Sequence, residues 1–136
     1  MATTTATVTI SSADLTGDAL ALSTTTTLTK AQSSNTGLEQ TTGVARKYFA
    51  SASTASVLID ATDFPTSTQA TKVYIKNLST TKSETVTLQI NNTSATIEIG
   101  KLYGGDWAFF PWLGASDIEI DTSSDAMTVE YLVIYE

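Results

Sequence analysis

A period of two runs through the C-terminal two thirds of the chain, and it constrains the fold more than any other feature. In TKVYIKN, Val73 and Ile75 fall on one face, with Lys72, Tyr74 and Lys76 on the other. ETVTLQI puts Val86, Leu88 and Ile90 inward and Thr85, Thr87 and Gln89 outward. ATIEI is expected to return with Ala95, Ile97 and Ile99 inward, and DIEID with Ile118 and Ile120 inward. Side chains on a strand point alternately to opposite faces, so this pattern describes strands with one oily and one wet face. VARKYFA and ASVLIDA read as further strands, and AMTVEYLVIYE as the last. Turn signals separate them. Pro65 in TDFPTST cannot donate to a ladder, LSTTKS and SSD turn the chain, and Asn91-Asn92 reads as a tight hairpin. Short strands at regular spacing predict an all-β, antiparallel sandwich or barrel.

The first 43 residues differ, and a boundary there gives a Thr-rich N-terminal segment, 1–43, and a β-domain, 44–136. Val8 and Ile10 alternate with Thr7 and Thr9. Leu20, Leu22, Thr24 and Thr26 keep the same period, with Leu28 a candidate to close it. DLTGDALAL also suits a helical turn, and KAQSSNTGLEQTTG reads as a loop. Two readings stand: a pair of ordinary strands plus a loop, or an extended arm that orders only against a neighbour.

Composition narrows function by exclusion. The chain has 136 residues, enough for one domain with a real core. Thr and Ser make up about three residues in ten, against an ordinary usage in which neither leads. Only 15% of residues are charged. A Thr surface loses less side-chain entropy on packing than a Lys/Glu surface, which suits life in an assembly. Net charge is −7, and the 7 basic residues are scattered, which argues against nucleic acid and anionic membrane as partners. There is no Cys and no His, so disulfides, thiolate or imidazole metal sites and Ser-His or Cys-His nucleophile pairs are excluded. MATTTATVTISS has neither the basic nor the apolar region of a secretion signal, and synthesis in the cytosol is expected.

Three motifs offer chemistry. Asp117, Glu119 and Asp121 share a strand face, with Asp125 nearby; the spacing is not that of a Ca²⁺ loop, and a solvated face is the expectation. A carboxylate pair for glycoside hydrolysis is formally open, with no residue marked for it. YGGD is too short for a phosphate loop, so Gly104 and Gly105 are expected to form a turn. No catalytic residue, cofactor or metal site is expected.

Two segments break the alternation rule. In GGDWAFFPW, Trp107, Phe109 and Pro111 lie on one face of an extended chain, and Ala108, Phe110 and Trp112 on the other. In MTVEYLVIY, Val129, Tyr131, Val133 and Tyr135 oppose Leu132 and Ile134. Both faces are apolar in each. A sandwich buries only the inner face, so the outer one meets another surface or is covered by the N-terminal segment. The candidate protein contacts are Trp107, Phe109, Phe110, Trp112, Tyr131 and Tyr135.

The stretches KVYIKNLSTTKSETVTLQI, IEIGKLYGGDWAFFPW and DIEIDTSSDAMTVEYLVIYE resemble small β-rich virion proteins of tailed bacteriophages, marine and cyanobacterial ones especially. The shared sketch is a strand ending in Lys76-Asn77, a hairpin, a step at Leu102, Gly105 and Asp106 into the aromatic strand at Phe110-Pro111, and a terminal Val129-Glu130-Tyr131 strand. It covers residues 72–136. The resemblance implies a jelly-roll-like or immunoglobulin-like sandwich, often trimeric, in the virion. The role it implies is capsid decoration (cement), with the major capsid protein and copies of itself as partners. A tail or fibre module binding host glycan through Trp107, Trp112 and Tyr103 is the alternative.

Overall fold

The computed structural model describes residues 3–15, 17–30, 37–64, 70–92 and 95–136. Within them the chain is all-β and antiparallel, with one 3-10 turn at Ala61–Asp63 and no α-helix. It forms two compact units, 1–39 and 40–136.

The first unit is a ribbon of β1 (Thr5–Ser12) and β2 (Leu20–Thr27). Their register runs unbroken from Thr5↔Thr27 to Ser12↔Leu20. The described residues of DLTGDALAL form no helical turn, and Leu20, Ala21 and Leu22 belong to β2. One ribbon face is a ladder of hydroxyls, with Thr7 and Thr25 oxygens 2.8 Å apart and Thr9 and Ser23 oxygens 3.2 Å apart. The other carries Ala6, Val8, Ile10, Leu20 and Leu22. At the ribbon's base the Leu28 N–H donates to Thr4, the Leu38 N–H to Leu28, and Lys30 pairs with Glu39 at 2.7 Å. Leu28 and Leu38 are buried. The Lys30 ammonium holds the Glu39 carboxyl below the usual carboxylate range.

The second unit is an open, sandwich-like pair of sheets, not a closed barrel. One sheet holds β5 (Ser53–Ile59), β10 (Ile118–Thr122), β7 (Val86–Asn92) and β8 (Ala95–Leu102), in that order. The other runs β11 (Met127–Tyr135), β6 (Thr71–Asn77), β9 (Trp107–Pro111). Two short strands, β3 (Gln40–Thr41) and β4 (Ala45–Phe49), pair along the far side of β11. Val86, Leu88, Ile118 and Ile120 from the first sheet share one core with Val73, Ile75, Val129 and Val133 from the second. All are β-branched except Leu88, and β-branched side chains pack well on a pleated surface. Phe64 makes edge-on contacts with Trp112 (5.6 Å between ring centres) and Tyr135 (5.4 Å), in the geometry that aromatic quadrupoles favour.

One corner is tied by a buried polar side chain. Asn77 ends β6 with zero exposure. Its amide donates to the carbonyls of Glu84 (2.9 Å) and Leu102 (3.2 Å), and its oxygen accepts from the Ser79 N–H. The adjacent turn, 103–106, closes by Asp106 N–H to Tyr103 at 2.8 Å, with Gly105 at φ +89°. Gly104 is required here, since a Cβ would meet the Thr81 oxygen at 2.3 Å. The expected turn before the aromatic strand is therefore present.

Two expectations are corrected. Asn91 and Asn92 lie within β7, paired with Thr96 and Ala95, so they are not the hairpin turn. Ile97 and Ile99 are exposed instead of buried. β8 is an edge strand: Ile97 keeps a core-side register opposite Ile90 but is left exposed at the sheet edge, and the register shift opposite Leu88 and Gln89 falls at Ile99 and takes it out of the alternation. The Pro65 break lies outside the described residues.

Candidate functional site

The late carboxylates were the first candidates for chemistry, and the fold uses each as an acceptor. Asp117 accepts from the Ala61 N–H at 2.8 Å, where the 3-10 turn begins. Glu119, buried, accepts from the Asn91 amide at 2.8 Å. Asp121 accepts from the Gln89 amide (2.8 Å) and from the Ala55 N–H (2.7 Å). Ala55 has φ +49° beside the register shifts of the β5–β10 pair, so Asp121 holds a residue in a backbone conformation that alanine rarely adopts. Asp125 accepts from the Ala52 N–H at 2.9 Å. The expectation of a solvated strand face fails for Glu119, which is buried, while Asp117 and Asp121 are partly buried and Asp125 is exposed; Glu119 and Asp121 tie β10 to β7 and β5. Among the described residues no three acids come together as a metal cage.

The aromatic strand β9 splits by face. Ala108 and Phe110 pack on the core, and Trp112 is buried just beyond, its indole N–H donating to the Ser116 carbonyl at 3.0 Å. Trp107 is 51% exposed and points outward with Phe109 and Pro111. On β11, Tyr131 and Tyr135 pack on the core with Val129 and Val133. Of the six candidate contacts, then, Phe110, Trp112, Tyr131 and Tyr135 face inward, while Trp107 and Phe109 face outward.

The strand registers build a surface around these two. One row across the outer face reads Trp107, Lys76, Glu130, Arg46; the next reads Phe109, Tyr74, Leu132; the third reads Pro111, Lys72, Ile134, Thr41. Tyr74 sits at the centre, its ring 6.3 Å from that of Trp107. Desolvation, and then the nearby Glu130 charge, push the Tyr74 phenol above its ordinary pKa. Arg46 reaches Glu130 at 2.8 Å. Lys72 and Lys76 flank Tyr74 and make no ion pair among the described residues. The face is therefore an apolar stripe bordered by three cations and one acid, in a chain whose net charge is −7. Tyr74 and Leu132 were not singled out as contacts. The signal was present, because the alternation of TKVYIKN puts Tyr74 opposite Val73 and Ile75, but the pairing of β6 with β9 is not written in either strand.

A separate crevice of about 220 Å³ lies between the open edges, lined by Ile90, Ile99, Phe110, Trp112, Leu113 and Ser116 among others. Its side chains offer no acid, base or nucleophile pair. No protein-family model, no curated protein and no solved structure matches this chain.

Proposed function

We propose that the chain is a non-enzymatic structural protein of a bacteriophage virion, a decoration protein that binds the outside of the capsid shell and stabilises it. One observation carries the reading: the outer sheet face where Trp107, Tyr74, Phe109 and Leu132 form a continuous apolar stripe inside a border of Lys72, Lys76 and Arg46. Aromatic residues and Arg are what the centres of protein interfaces use, because rigid rings bury much area at little entropic cost. The cations fit an acidic partner surface. The absence of His and Cys from the chain removes the commonest catalytic pairs and leaves binding as the better account. The partner in this reading is the major capsid protein. Binding the assembled shell and not its dissociated subunits stabilises the shell by mass action, and many copies multiply the effect.

Cosedimentation with shells lacking the protein tests it. The native chain is expected to bind saturably. A Trp107→Ala, Phe109→Thr double variant is expected to lose binding while keeping the buried emission of Trp112, which reports an intact core. Failure of the native chain to bind any shell overturns the reading. The glycan alternative loses the buried Trp112 from its platform but keeps the exposed Trp107 and Tyr103. Binding to host polysaccharide and not to shells would move the assignment there.

A further inference from the structure

Among the described residues, the β1–β2 ribbon has a face and two edges that no other strand of its own unit pairs with or covers. Ile10 and Leu22 stand directly opposite each other on its apolar side, and each is 50% exposed. An isolated two-stranded ribbon is marginal in water, because it has no third strand or second layer against which to bury that side.

Among the described residues neither edge pairs with a third strand. Natural sheets blunt their edges with charge, proline, bulges or shortness. The sandwich edges do this: β4 carries Arg46 and Lys47, β5 has two register shifts, β8 has Glu98, Lys101 and a register shift, and β9 is five residues long and ends in Pro111. The ribbon strands, TATVTISS and LALSTTTT, contain no Lys, Arg, Asp, Glu, Pro or Gly, and their register has no shift. The Leu28 N–H bonded to Thr4 sets the phase of the ladder. Even-numbered pairs such as Val8↔Thr24 bond within the ribbon, so Thr7, Thr9, Ser23 and Thr25 aim their backbone groups outward.

We infer that these edges pair with the ribbon of a second copy of the chain, forming an intermolecular sheet with the Ile10 and Leu22 sides aligned. Self-pairing is what the charge distribution permits. The chain carries −7, so copies repel over most of their surface, while the ribbon strands hold no charge to repel their own kind or to select a different partner. Main-chain bonds between edges supply affinity without side-chain selectivity. The inference deepens the assembly reading above and rests on it for its purpose. Its test is separate, since self-association is measured with no shell present.

Sedimentation of the full chain over a wide concentration range is the experiment. The native chain is expected to associate. A Thr9→Pro, Thr25→Pro double variant removes two outward N–H donors and no main-chain bond of the ribbon, together with the Thr9–Ser23 and Thr7–Thr25 hydroxyl contacts that a Thr9→Lys, Thr25→Lys variant also loses, and is expected to weaken association at least roughly tenfold. That Lys variant keeps every N–H, and is expected to dissociate at low salt and recover at high salt. Both tryptophans lie in the sandwich, so their fluorescence confirms that each variant still folds there. A native chain that stays monomeric at every concentration overturns the inference. So does a Lys variant that associates like the native chain at low salt.

Discussion

The ribbon and the sandwich are written in the same alphabet. Thr7, Thr9 and Ser11 alternate with Val8 and Ile10 in β1, as Thr87 and Gln89 alternate with Val86, Leu88 and Ile90 in β7. Yet Val86 and Leu88 are buried, and Ile10 is half exposed. The difference lies in the layers. β7 has β10 and β8 beside it and a second sheet across from it, so its apolar face meets another. Among the described residues of its own unit, β1 pairs with β2 alone. Alternation decides which side chains share a face, and a second layer decides whether that face is dry.

Hydrogen exchange is the widest measure of that contrast. Amides of β6 and β11, central in their sheet and lined with fully buried Val73, Ile75, Val129 and Val133, open only with the whole sandwich. In dilute protein the amides of β1 and β2 are expected to exchange at least about a thousandfold faster, since the ribbon's apolar side at Ile10 and Leu22 is half exposed. Equal protection in both regions under dilute conditions would break the comparison. Protection that rises in the ribbon alone as concentration rises would sharpen it.

A cavity in the sandwich comes next in size. Ile118 is fully buried and aligned with Ile59 on one side and Ile90 on the other. Ile118→Ala is expected to destabilise by about 3 kcal/mol, the sum of lost transfer energy and the cavity left in a packed core. Leu22→Ala in the ribbon removes a half-exposed side chain and is expected to cost under about 1 kcal/mol in dilute protein. Urea unfolding followed by tryptophan fluorescence gives the first value, and far-UV circular dichroism gives the second. Similar losses for the two would mean that the ribbon side chain is as well packed as the core.

How much of this was legible follows from the same physics. β6, β7 and β10 were readable because large apolar residues alternate cleanly with polar ones. The all-β class followed from them. In β9 the odd–even split into Trp107, Phe109 and Pro111 against Ala108 and Phe110 was readable too. Which of its two apolar faces meets the core was not, because that depends on β9 pairing with β6. The same holds for β11, where both Tyr131 and Leu132 suit a dry face and only the fold assigns Tyr131 inward. Ile99 misled because a register shift leaves no trace in a strand's own alternation, and Ile97 because nothing in a strand's own sequence says that it lies at a sheet edge. The carboxylates of β10 misled because their partners, Asn91, Gln89 and the backbone of β5, are distant in sequence.

The smallest expected effect tests the outer face of the sandwich, the surface on which the proposed function rests. Tyr74 is half-buried there, beside Trp107 and near Glu130. Burial first, and the Glu130 charge second, disfavour its phenolate and raise its pKa in the folded chain. In the unfolded chain a tyrosine ionises near pH 10. As pH rises past that value the unfolded state releases this proton first and the folded state retains it, so the native chain binds more protons and stability falls with pH. The fall is complete once pH exceeds the raised folded value. Tyr74→Phe is expected to remove this share of the alkaline decline while leaving the unfolding midpoint at neutral pH nearly unchanged. Urea midpoints for both chains between neutral pH and the alkaline limit of folding measure it. An alkaline decline of the same size in both would mean that Tyr74 is fully solvated. The outer face would then be an ordinary wet sheet surface like the hydroxyl side of the ribbon, and the apolar stripe would lose its claim to be a contact.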